Sequence, residues 1–470
     1  MNIVWLRRDL RVHDNPALHA ALSTGNPVVA VYTATPSQWR AHDMAPIQAD
    51  LIYRRLSTLR DELRELGVEL YYRQCERFSD SVDAVCEFAD EQQALAVYTN
   101  HEYELNERKR DDYLSSKLER LSIDWFAFHE RCVFPPSSVL NKQGEMFKVF
   151  TPFKKAWLAL YTPVQIKKTP AASQSAVVSS DSFFLWESCQ PFDYPRSDSS
   201  RWPVTFDDVR ALLREFCHER MPEYHERRDY PAMDMTSRLS PYLTLGIISV
   251  RQCLARLHQS QPSHNNAGAD TWLSELIWRE FYQHLIYFWP ELCKGNNFHE
   301  WANNLVWNQN GEDWLRKWQL GETGYPIVDA AMRQLKQTGW MHNRLRMIVA
   351  SFLTKDLHID WRHGEQYFMR QLIDGDFAAN NGGWQWSAST GCDGQPYFRI
   401  FNPITQGERF DPHGQFIRQY IPELSGVPDK YIHSPWLWGG VKSLSYPAPI
   451  VDHKREREIT LGVYKEAKGT

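Results

Sequence analysis

The sequence predicts an α/β N-terminal domain with a doubly wound parallel sheet, followed by a larger, mainly α-helical C-terminal domain. Three observations predict this fold. Short apolar runs alternate with longer amphipathic segments in the first 130 residues, apolar residues recur with a period of about 3.6 after Trp202, and a Ser- and Pro-rich stretch separates the two patterns. Because 470 residues exceed one ordinary core, we expect domains at residues 1–130 and 202–470, joined by a long linker at residues 131–201.

The first domain is predicted from five apolar runs and two amphipathic segments. The runs NIVWL, PVVAVY, VELYYR, ALAVYTN and IDWFAF predict buried strands, and residues 51–67 and 106–121 predict helices. Strands that alternate with helices form a parallel sheet, which binds ligands beyond the carboxyl ends of its strands. No GxGxxG motif follows the first strand, so the sequence does not support a dinucleotide site on this domain.

The second domain is predicted from successive helical segments and is rich in tryptophan. Helical periodicity covers residues 206–221, 271–289, 326–338, 344–357 and 364–373. Of the 19 tryptophans in the chain, 13 lie between Trp272 and Trp438. Indole is large and stacks well, so this enrichment predicts either a Trp-rich core or a site for aromatic ligands and electron transfer. Composition alone favours the core.

Bulk composition is ordinary for a folded protein. Hydrophobic residues make up 43% and charged residues 24%, and no run approaches the roughly 18 apolar residues that span a bilayer. Charges at Arg7, Arg8 and Asp9 argue against a signal peptide, and none of the eight cysteines forms a CxxC pair. We therefore expect a cytoplasmic protein with no metal site, no disulfide framework and no membrane partner. The net charge of −5 argues only weakly against a nucleic-acid partner, because one basic face can bind phosphates on an acidic protein.

Residues 236–240, Thr-Ser-Arg-Leu-Ser, precede an apolar helical segment. Hydroxyl side chains at this position are typical of a helix N-cap. The same hydroxyls, with free amides and the positive end of the helix dipole, could also hold a pyrophosphate. Both interpretations remain open at this point.

Two further segments place polar and aromatic side chains on one helix face. Glu275, Trp278, Arg279 and Tyr282 follow helical spacing in ELIWREFY, so a carboxylate, an indole and a guanidinium share a stripe. This stripe could stack a ring and bind its edge, or it could be an amphipathic face with an internal salt bridge. In GWMHNRLRM, the spacing predicts a second such face with Trp340, Asn343 and Met347. Arg344 and Arg346 lie beside this face.

The stretch DGDFAANNGGWQWSASTG, residues 374–391, predicts a short polar, Gly-rich loop. Such a loop lets the backbone approach a ligand closely. Asp374, Asp376 and Asn380 could pair with the N–H and carbonyl edge of a flavin. A turn with acidic spacing is the alternative, but this spacing lacks further ligands for calcium.

In this order, TSRLS, ELIWREFY, TGWMHNRLRM, LIDGDFAANNGGWQWSASTG and PYFRIFNP resemble the C-terminal half of the photolyase/cryptochrome family. The opening VWLRRDLRVHDNPAL resembles the first strand and loop of that family. The resemblance runs from end to end and is most like the class I photolyases with a folate antenna. It implies an FAD-binding enzyme that repairs cyclobutane pyrimidine dimers in UV-damaged DNA with light.

The resemblance implies a U-shaped FAD bound by residues of the helical domain. The expected FAD-binding residues are Tyr224, Thr236, Ser237, Arg238, Leu239, Ser240, Trp272, Glu275, Arg279, Trp340, Asn343, Arg346, Asp374, Asp376 and Asn380. Arg346 and Asp374 are expected to form an ion pair. Asn380 would face the flavin N5, where cryptochromes of plants and animals carry Asp or Cys, and Asn favours the fully reduced anionic flavin as the active form.

The resemblance also implies a pocket for a flipped-out dimer. The residues expected to act on the lesion are Glu275, Trp278, Asn343, Met347, Asn380 and Trp384. Six-four photolyases carry His at the positions of Asn343 and Met347, so the cyclobutane dimer is the expected substrate. The cofactor carries the chemistry and the protein supplies position and electrostatics.

Three further sets follow from the resemblance. Trp384, Trp361 and Trp307 match the electron relay that reduces oxidised flavin in light. Arg228, Arg344 and Arg399 match positions that clamp DNA phosphates, beside Glu275, Trp278 and Trp384 at the lesion. His42, Asn106, Glu107, Cys293 and Lys294 match the positions that bind a 5,10-methenyltetrahydrofolate antenna, with a deazaflavin as the alternative pigment.

A blue-light photoreceptor without repair activity is the main alternative function. It predicts a long C-terminal extension and a changed residue at Asn380, and the sequence shows neither feature. The expected protein is a monomeric photolyase.

Overall fold

The computed structural model describes residues 1–163, 165–188, 192–260 and 266–469. Residues 164 and 189–191 of the expected linker, Cys189 among them, lie outside the described residues. The chain forms two compact units. We call residues 1–222 with 237–293 the sheet unit, and residues 223–236 with 294–470 the helical unit.

These units differ from the expected bounds because residues 237–293 pack with the sheet. Leu10 donates its backbone N–H to the Leu245 carbonyl at 3.1 Å, and the Arg11 guanidinium donates to the Gly246 carbonyl at 3.0 Å. A Cβ added at Gly246 would overlap the backbone of Arg8. Hydrophobic periodicity predicts the type of an element and not its packing partner, so this grouping was not visible in the sequence.

The sheet unit contains one six-stranded sheet among the described residues. The strands are β1 (Asn2–Leu6), β2 (Val28–Ala34), β3 (Glu69–Gln74), β4 (Ala96–Asn100), β5 (Asp124–Phe128) and β6 (Phe184–Leu185). Their order is β5-β4-β1-β2-β3-β6, with β1 to β5 parallel and β6 antiparallel at one edge. Every residue of β1, β2 and β4 is buried, which is typical of a parallel sheet with helices on both faces. The predicted doubly wound sheet is confirmed.

Helices make up most of the remaining structure. In chain order they begin with α1 (Pro16–Ser23), α2 (Pro36–Ala41), α3 (Pro46–Glu65), α4 (Phe78–Glu91), α5 (Leu105–Arg120), α6 (Phe150–Leu160), α7 (Phe206–Glu215), α8 (Tyr224–Arg227), α9 (Ser240–Thr244), α10 (Val250–Gln259) and α11 (Ala267–Phe288). They continue with α12 (Glu312–Leu320), α13 (Pro326–Thr338), α14 (Asn343–Lys355), α15 (Trp361–Gln371), α16 (Phe377–Ala388), α17 (Pro403–Phe410), α18 (Gln415–Tyr420) and α19 (His453–Lys468). The expected linker therefore contains α6 and β6, while α8 and α12–α19 belong to the helical unit.

Local sequence explains where the helices that carry functional residues begin and end. Asp360 accepts a hydrogen bond from the Arg362 N–H and caps α15, and Pro326 occupies the first turn of α13. Gly339 ends α13 with a φ of +66°, a left-handed conformation that glycine adopts without strain. None of the described helices has the length and apolar character needed to cross a lipid bilayer.

The tryptophans of the helical unit form part of its core. Trp318, Trp361 and Trp384 are all buried in one hydrophobic cluster with α13, α14 and α18. Trp307 and Trp314 are half-buried and pack against that cluster. The core interpretation of the tryptophan enrichment is therefore confirmed for these residues, and it is compatible with electron transfer between them.

Candidate active site

The stretch from Asp374 to Gly391 is mainly helical, so the predicted Gly-rich loop is wrong. Residues 377–388 form α16, and Asp376 caps this helix by accepting a hydrogen bond from the Ala379 N–H at 3.0 Å. Packing outweighs the low helix propensity of the paired glycines, because the helix buries Trp384 and Gln385 in the unit. Asn380 therefore sits on the first turn of a rigid helix, four residues after its cap.

The predicted ion pair between Arg346 and Asp374 is present in the helical unit. The Arg346 Nη2 contacts the two Asp374 carboxylate oxygens at 2.8 and 3.0 Å, and its Nε donates to the Met341 carbonyl at 2.9 Å. Asp374 is buried. The two contacts to one carboxylate fix the orientation of both side chains beside α14 and α16.

Helix α14 begins at Asn343, so Trp340 lies in the preceding turn and does not share a helix face with Asn343 and Met347. His342 caps the helix, because its Nδ1 accepts a hydrogen bond from the Arg344 N–H at 3.2 Å. Burial lowers the pKa of His342 to about 4, which keeps the ring neutral and able to accept. Asn343 itself is exposed and Met347 is half-buried.

The side-chain amide of Asn380 is oriented by the neighbouring helix. Its Nδ2 donates to the Glu365 carbonyl of α15 at 3.0 Å. The carbonyl oxygen of the amide is thereby the atom left to accept a hydrogen bond from a ligand. At Gly383, three residues further along α16, an added Cβ would meet no protein atom within 4 Å.

The stripe on α11 belongs to the sheet unit and is partly committed to structural contacts. One face of the Trp278 ring stacks on Phe150, with centroids 3.7 Å apart and an interplanar angle of 9°. The Arg279 guanidinium donates to the carbonyls of Arg131 at 2.6 Å and Leu243 at 3.3 Å. The Arg279 guanidinium is thus committed to backbone carbonyls of the sheet unit.

The hydroxyl cluster at residues 236–240 does not cap a helix with a side chain, so the N-cap interpretation is wrong. The cap position of α9 falls on Leu239, which has no side-chain hydrogen bond to the helix. The Ser237 Oγ instead accepts from the Leu239 N–H at 3.4 Å, and Arg238 adopts a left-handed φ of +52°. Of the other expected FAD residues, Trp272 packs on Phe216 in the sheet unit, and Tyr224 and Thr236 lie in the helical unit.

The three relay tryptophans all lie in the helical unit and differ in burial. Trp384 is 2% exposed, Trp361 is 1% exposed, and Trp307 is half-buried. Trp384 packs edge-on against Phe368 at 5.0 Å, and the Trp361 Nε1 donates to the Asn297 side chain at 2.9 Å. The three indoles thus differ in solvent access, and Trp307 has the most.

The three expected phosphate clamps also lie in the helical unit. Arg344 forms a 2.6 Å ion pair with Asp229, and its guanidinium stacks over the Phe410 ring at 4.6 Å. Arg228 lies 5.7 Å from the Tyr224 ring centroid, and the side chain of Arg399 is exposed. The structure thus holds Arg344 more rigidly than Arg399.

Four of the five expected antenna residues belong to the sheet unit, and three of them meet. The His42 Nε2 accepts from the Asn106 amide at 2.9 Å, and the His42 Nδ1 lies 3.8 Å from the Glu107 carboxylate. Burial raises the pKa of Glu107 to about 7, and the nearby Glu104 adds to this shift. Burial also raises the pKa of the Cys293 thiol to about 12, whereas Lys294 opens the second segment of the helical unit.

A buried polar cluster in the sheet unit was missed in the sequence. Cys132, Glu280 and His284 lie within ligand distance of one another. The two Glu280 oxygens accept hydrogen bonds from the N–H groups of Val133 and Phe134 and from the Trp157 indole, and burial raises the Glu280 pKa to about 7. These three hydrogen bonds use both carboxylate oxygens of Glu280, and they connect α11 to the residues that follow β5. Only the spacing of Glu280 and His284 within α11 could have indicated it.

Comparison with known proteins identifies the family. A family model described as DNA photolyase matches residues 2–173, and one described as the FAD binding domain of DNA photolyase matches residues 272–466. The chain belongs to the DNA photolyase family. Among curated members of this family, it is 58% identical to the deoxyribodipyrimidine photo-lyase of Vibrio cholerae over the full length of both chains.

A second curated photolyase, from Escherichia coli, is 49% identical over 99% of each chain and is also called a deoxyribodipyrimidine photo-lyase. The solved structure of a Synechocystis cryptochrome matches 98% of this chain and 99% of its own, with a TM-score of 0.85 and 27% identity. The fold is therefore shared by photolyases and cryptochromes. Sequence identity, and not the fold, favours the photolyases.

The residues of this photolyase-family chain fit FAD, which its C-terminal domain binds. The helical unit offers an ion-paired carboxylate, an oriented amide and an open position at Gly383, which suit the polar edge of an isoalloxazine. The sheet unit offers hydroxyls and an arginine at residues 237–240, where the first turn of α9 has no side-chain cap.

Proposed function

We propose that this protein repairs cyclobutane pyrimidine dimers in UV-damaged DNA by light-driven electron transfer. The observation that carries the proposal is the 58% identity, over both full lengths, to a deoxyribodipyrimidine photo-lyase. When bound and excited, reduced FAD would supply an electron to the dimer, and that electron would return to the flavin once the two ring bonds have broken, so that the reaction is redox-neutral overall. The protein contributes binding, orientation and exclusion of water.

We propose specific roles for the residues toward FAD. Asp374 and Arg346 hold the flavin by charge and hydrogen bonds, and their mutual ion pair keeps both groups oriented. The Asn380 oxygen accepts a hydrogen bond from the flavin, because its amide nitrogen already donates to Glu365. Asn cannot donate a carboxylic proton, which favours the anionic reduced state. The remaining expected FAD-binding residues complete the site, and Ser237 and Ser240 bind the phosphates of FAD.

On the lesion side, the contacts within the sheet unit support a division of labour. Because Phe150 covers one face of Trp278, only the opposite face can stack on a flipped thymine. Glu275 lies one helical turn before Trp278 and is half-buried, so its carboxylate can accept a hydrogen bond from a thymine N3–H. Asn343, Met347 and Trp384 are the proposed lesion residues of the helical unit.

Three further assignments remain proposals. Trp307, Trp361 and Trp384 relay an electron to oxidised flavin, while Arg228, Arg344 and Arg399 contact DNA phosphates without reading sequence. His42, Asn106 and Glu107 bind a folate antenna, and the contacts of His42 with the other two side chains support this assignment. We further propose a monomer, and a cytoplasmic location because all seven described cysteines are free, as is usual in a reducing compartment.

Substrate discrimination tests the proposal. Reduced holoprotein is illuminated with one duplex that carries a cyclobutane dimer and with a matched duplex that carries a six-four photoproduct. We expect restoration of the first alone, because Asn343 and Met347 stand where a six-four enzyme carries histidines. Repair of the six-four duplex, or of neither duplex, would contradict the proposed substrate.

A further inference from the structure

The sheet unit contains a cavity away from every residue assigned above. Its volume is about 340 Å³, within the range of small-molecule sites. Four separated parts of the chain line it: His13 in the loop after β1, residues 166–168, helix α7 and helix α10. Nothing in the proposed repair reaction uses these residues.

The cavity is strongly basic. Five of its 13 lining residues are Lys or Arg, and none is Asp or Glu: Lys167, Lys168, Arg210, Arg214 and Arg256. This concentration stands out in a chain whose net charge is −5. A concave wall of one sign focuses the local potential and attracts anions.

These cations have few partners within the protein. In the described part of the chain, Arg210 alone of the five forms an ion pair, a 3.8 Å contact with Asp207, whose side chain is 91% exposed. The Arg256 Nε is buried and has no hydrogen-bond partner among the described residues. Cations that lack acidic partners within the protein are available to pair with an anionic ligand in the cavity.

The floor of the cavity is apolar and partly aromatic. Phe206, Leu213 and Ile248 line it and are buried. The exposed His13 ring lies against Phe206, with centroids 4.3 Å apart and an interplanar angle of 31°. A flat base could pack beside this pair while its phosphates meet the lysines and arginines.

We propose that this cavity binds a nucleoside di- or triphosphate. The phosphates lie against Lys167, Lys168 and the arginines of α7 and α10, and the base lies beside His13 and Phe206. The site is separate from the FAD residues, so the proposal does not depend on repair activity. Phosphates could also come from inorganic polyphosphate or from a DNA strand, and the test distinguishes these sources.

The test measures binding to the FAD-loaded holoprotein by isothermal titration with ATP, with inorganic triphosphate and with an undamaged oligonucleotide. The main variant is Lys167→Gln/Lys168→Gln, and the matched control is Lys142→Gln/Lys155→Gln. All four lysines are exposed in the sheet unit, so both variants remove the same charge, but the control residues do not line the cavity. His13→Ala probes the base alone.

We expect ATP to bind without releasing FAD and to bind roughly tenfold more weakly to the Lys167→Gln/Lys168→Gln variant, with the control unchanged. His13→Ala should lower the affinity for ATP and leave the affinity for inorganic triphosphate unchanged. The proposal is overturned if ATP does not bind, if ATP displaces FAD, if both double variants lose affinity equally, or if the oligonucleotide alone depends on Lys167 and Lys168.

Discussion

Trp384 lies where it does because residue 364 has no side chain. A Cβ added at Gly364 would overlap the far edge of the Trp384 ring and also press on Leu353. Trp384 is also wedged against Phe368 of α15 and Trp318 of α12. The glycine thus creates the slot in α15 that holds the indole assigned to both the lesion and the relay.

Gly364→Ala should therefore displace Trp384 and destabilise the fold by about 1–3 kcal/mol, as overpacking of a filled core does. Denaturant unfolding measures this loss, and the rate of flavin photoreduction reports the moved indole. The control is Gly462→Ala on α19, where an added Cβ would meet no atom within 4 Å and the higher helix propensity of Ala should stabilise slightly. A stable Gly364→Ala variant with wild-type photoreduction would show that the slot is not needed.

Trp307 is the member of the proposed relay with the most solvent access, and its replacement should separate photoreduction from repair. In Trp307→Phe, light should no longer reduce oxidised FAD, while chemically reduced protein should repair dimers at the wild-type rate. Photoreduction is followed by the visible spectrum of the flavin. Trp314→Phe is the control, because Trp314 packs half-buried against the same core outside the proposed relay. Lost repair in the pre-reduced Trp307→Phe protein would assign Trp307 another role.

At the scale of elements, α13 and α16 show where sequence reasoning succeeds and where it fails. Residues 326–338 were predicted as a helix and form α13, since Pro at its start, Gly after its end and regular apolar spacing all agree. The polar, Gly-rich residues from 374 to 383 predict a loop instead, and Asn and Gly do have low helix propensity. The Asp376 cap and the burial of Trp384 override that propensity, and burial is a tertiary property.

The buried amine of Lys355 should make the stability of the protein depend on pH. Lys355, the last residue of α14, donates to the Ser389 hydroxyl at 3.0 Å and the Arg399 carbonyl at 3.3 Å. Burial lowers the pKa of Lys355 to about 7 from the ordinary value of 10.5 for a lysine. Between these two values the unfolded chain binds a proton that the folded chain lacks, so the stability contributed at Lys355 rises with pH, by up to about 1.4 kcal/mol per unit.

Lys355→Met should remove that rise in stability with pH. The free energy of unfolding of the variant, relative to that of the wild type, should be highest at and below neutral pH. Urea unfolding at several values from pH 6.5 to 9.5, about the window between the two pKa values, gives the difference in free energy of unfolding. Lys336→Met, at an exposed position on α13, should show no such trend. A wild-type advantage over Lys355→Met that stays constant across the window would contradict the buried-lysine account.

At the scale of the whole molecule, the sequence predicted the type of most elements and the family, but not how distant segments meet. All five parallel strands fall within two residues of their predicted bounds, because apolar runs mark them directly. The predicted burial is wrong for β5, an edge strand whose residues are all exposed or half-buried. The packing of residues 237–293 on the sheet, the Cys132, Glu280 and His284 cluster, and the basic cavity each unite segments far apart in sequence. No periodicity encodes such meetings.

The central claim is that bound reduced FAD drives dimer repair only in light. Its most direct test is the recovery of thymine absorbance when reduced holoprotein meets dimer-containing oligothymidylate, with identical samples kept dark. The account predicts recovery under blue or near-ultraviolet light and none in the dark. Equal recovery in the dark, or no recovery in light from protein with a full complement of reduced FAD, would contradict it.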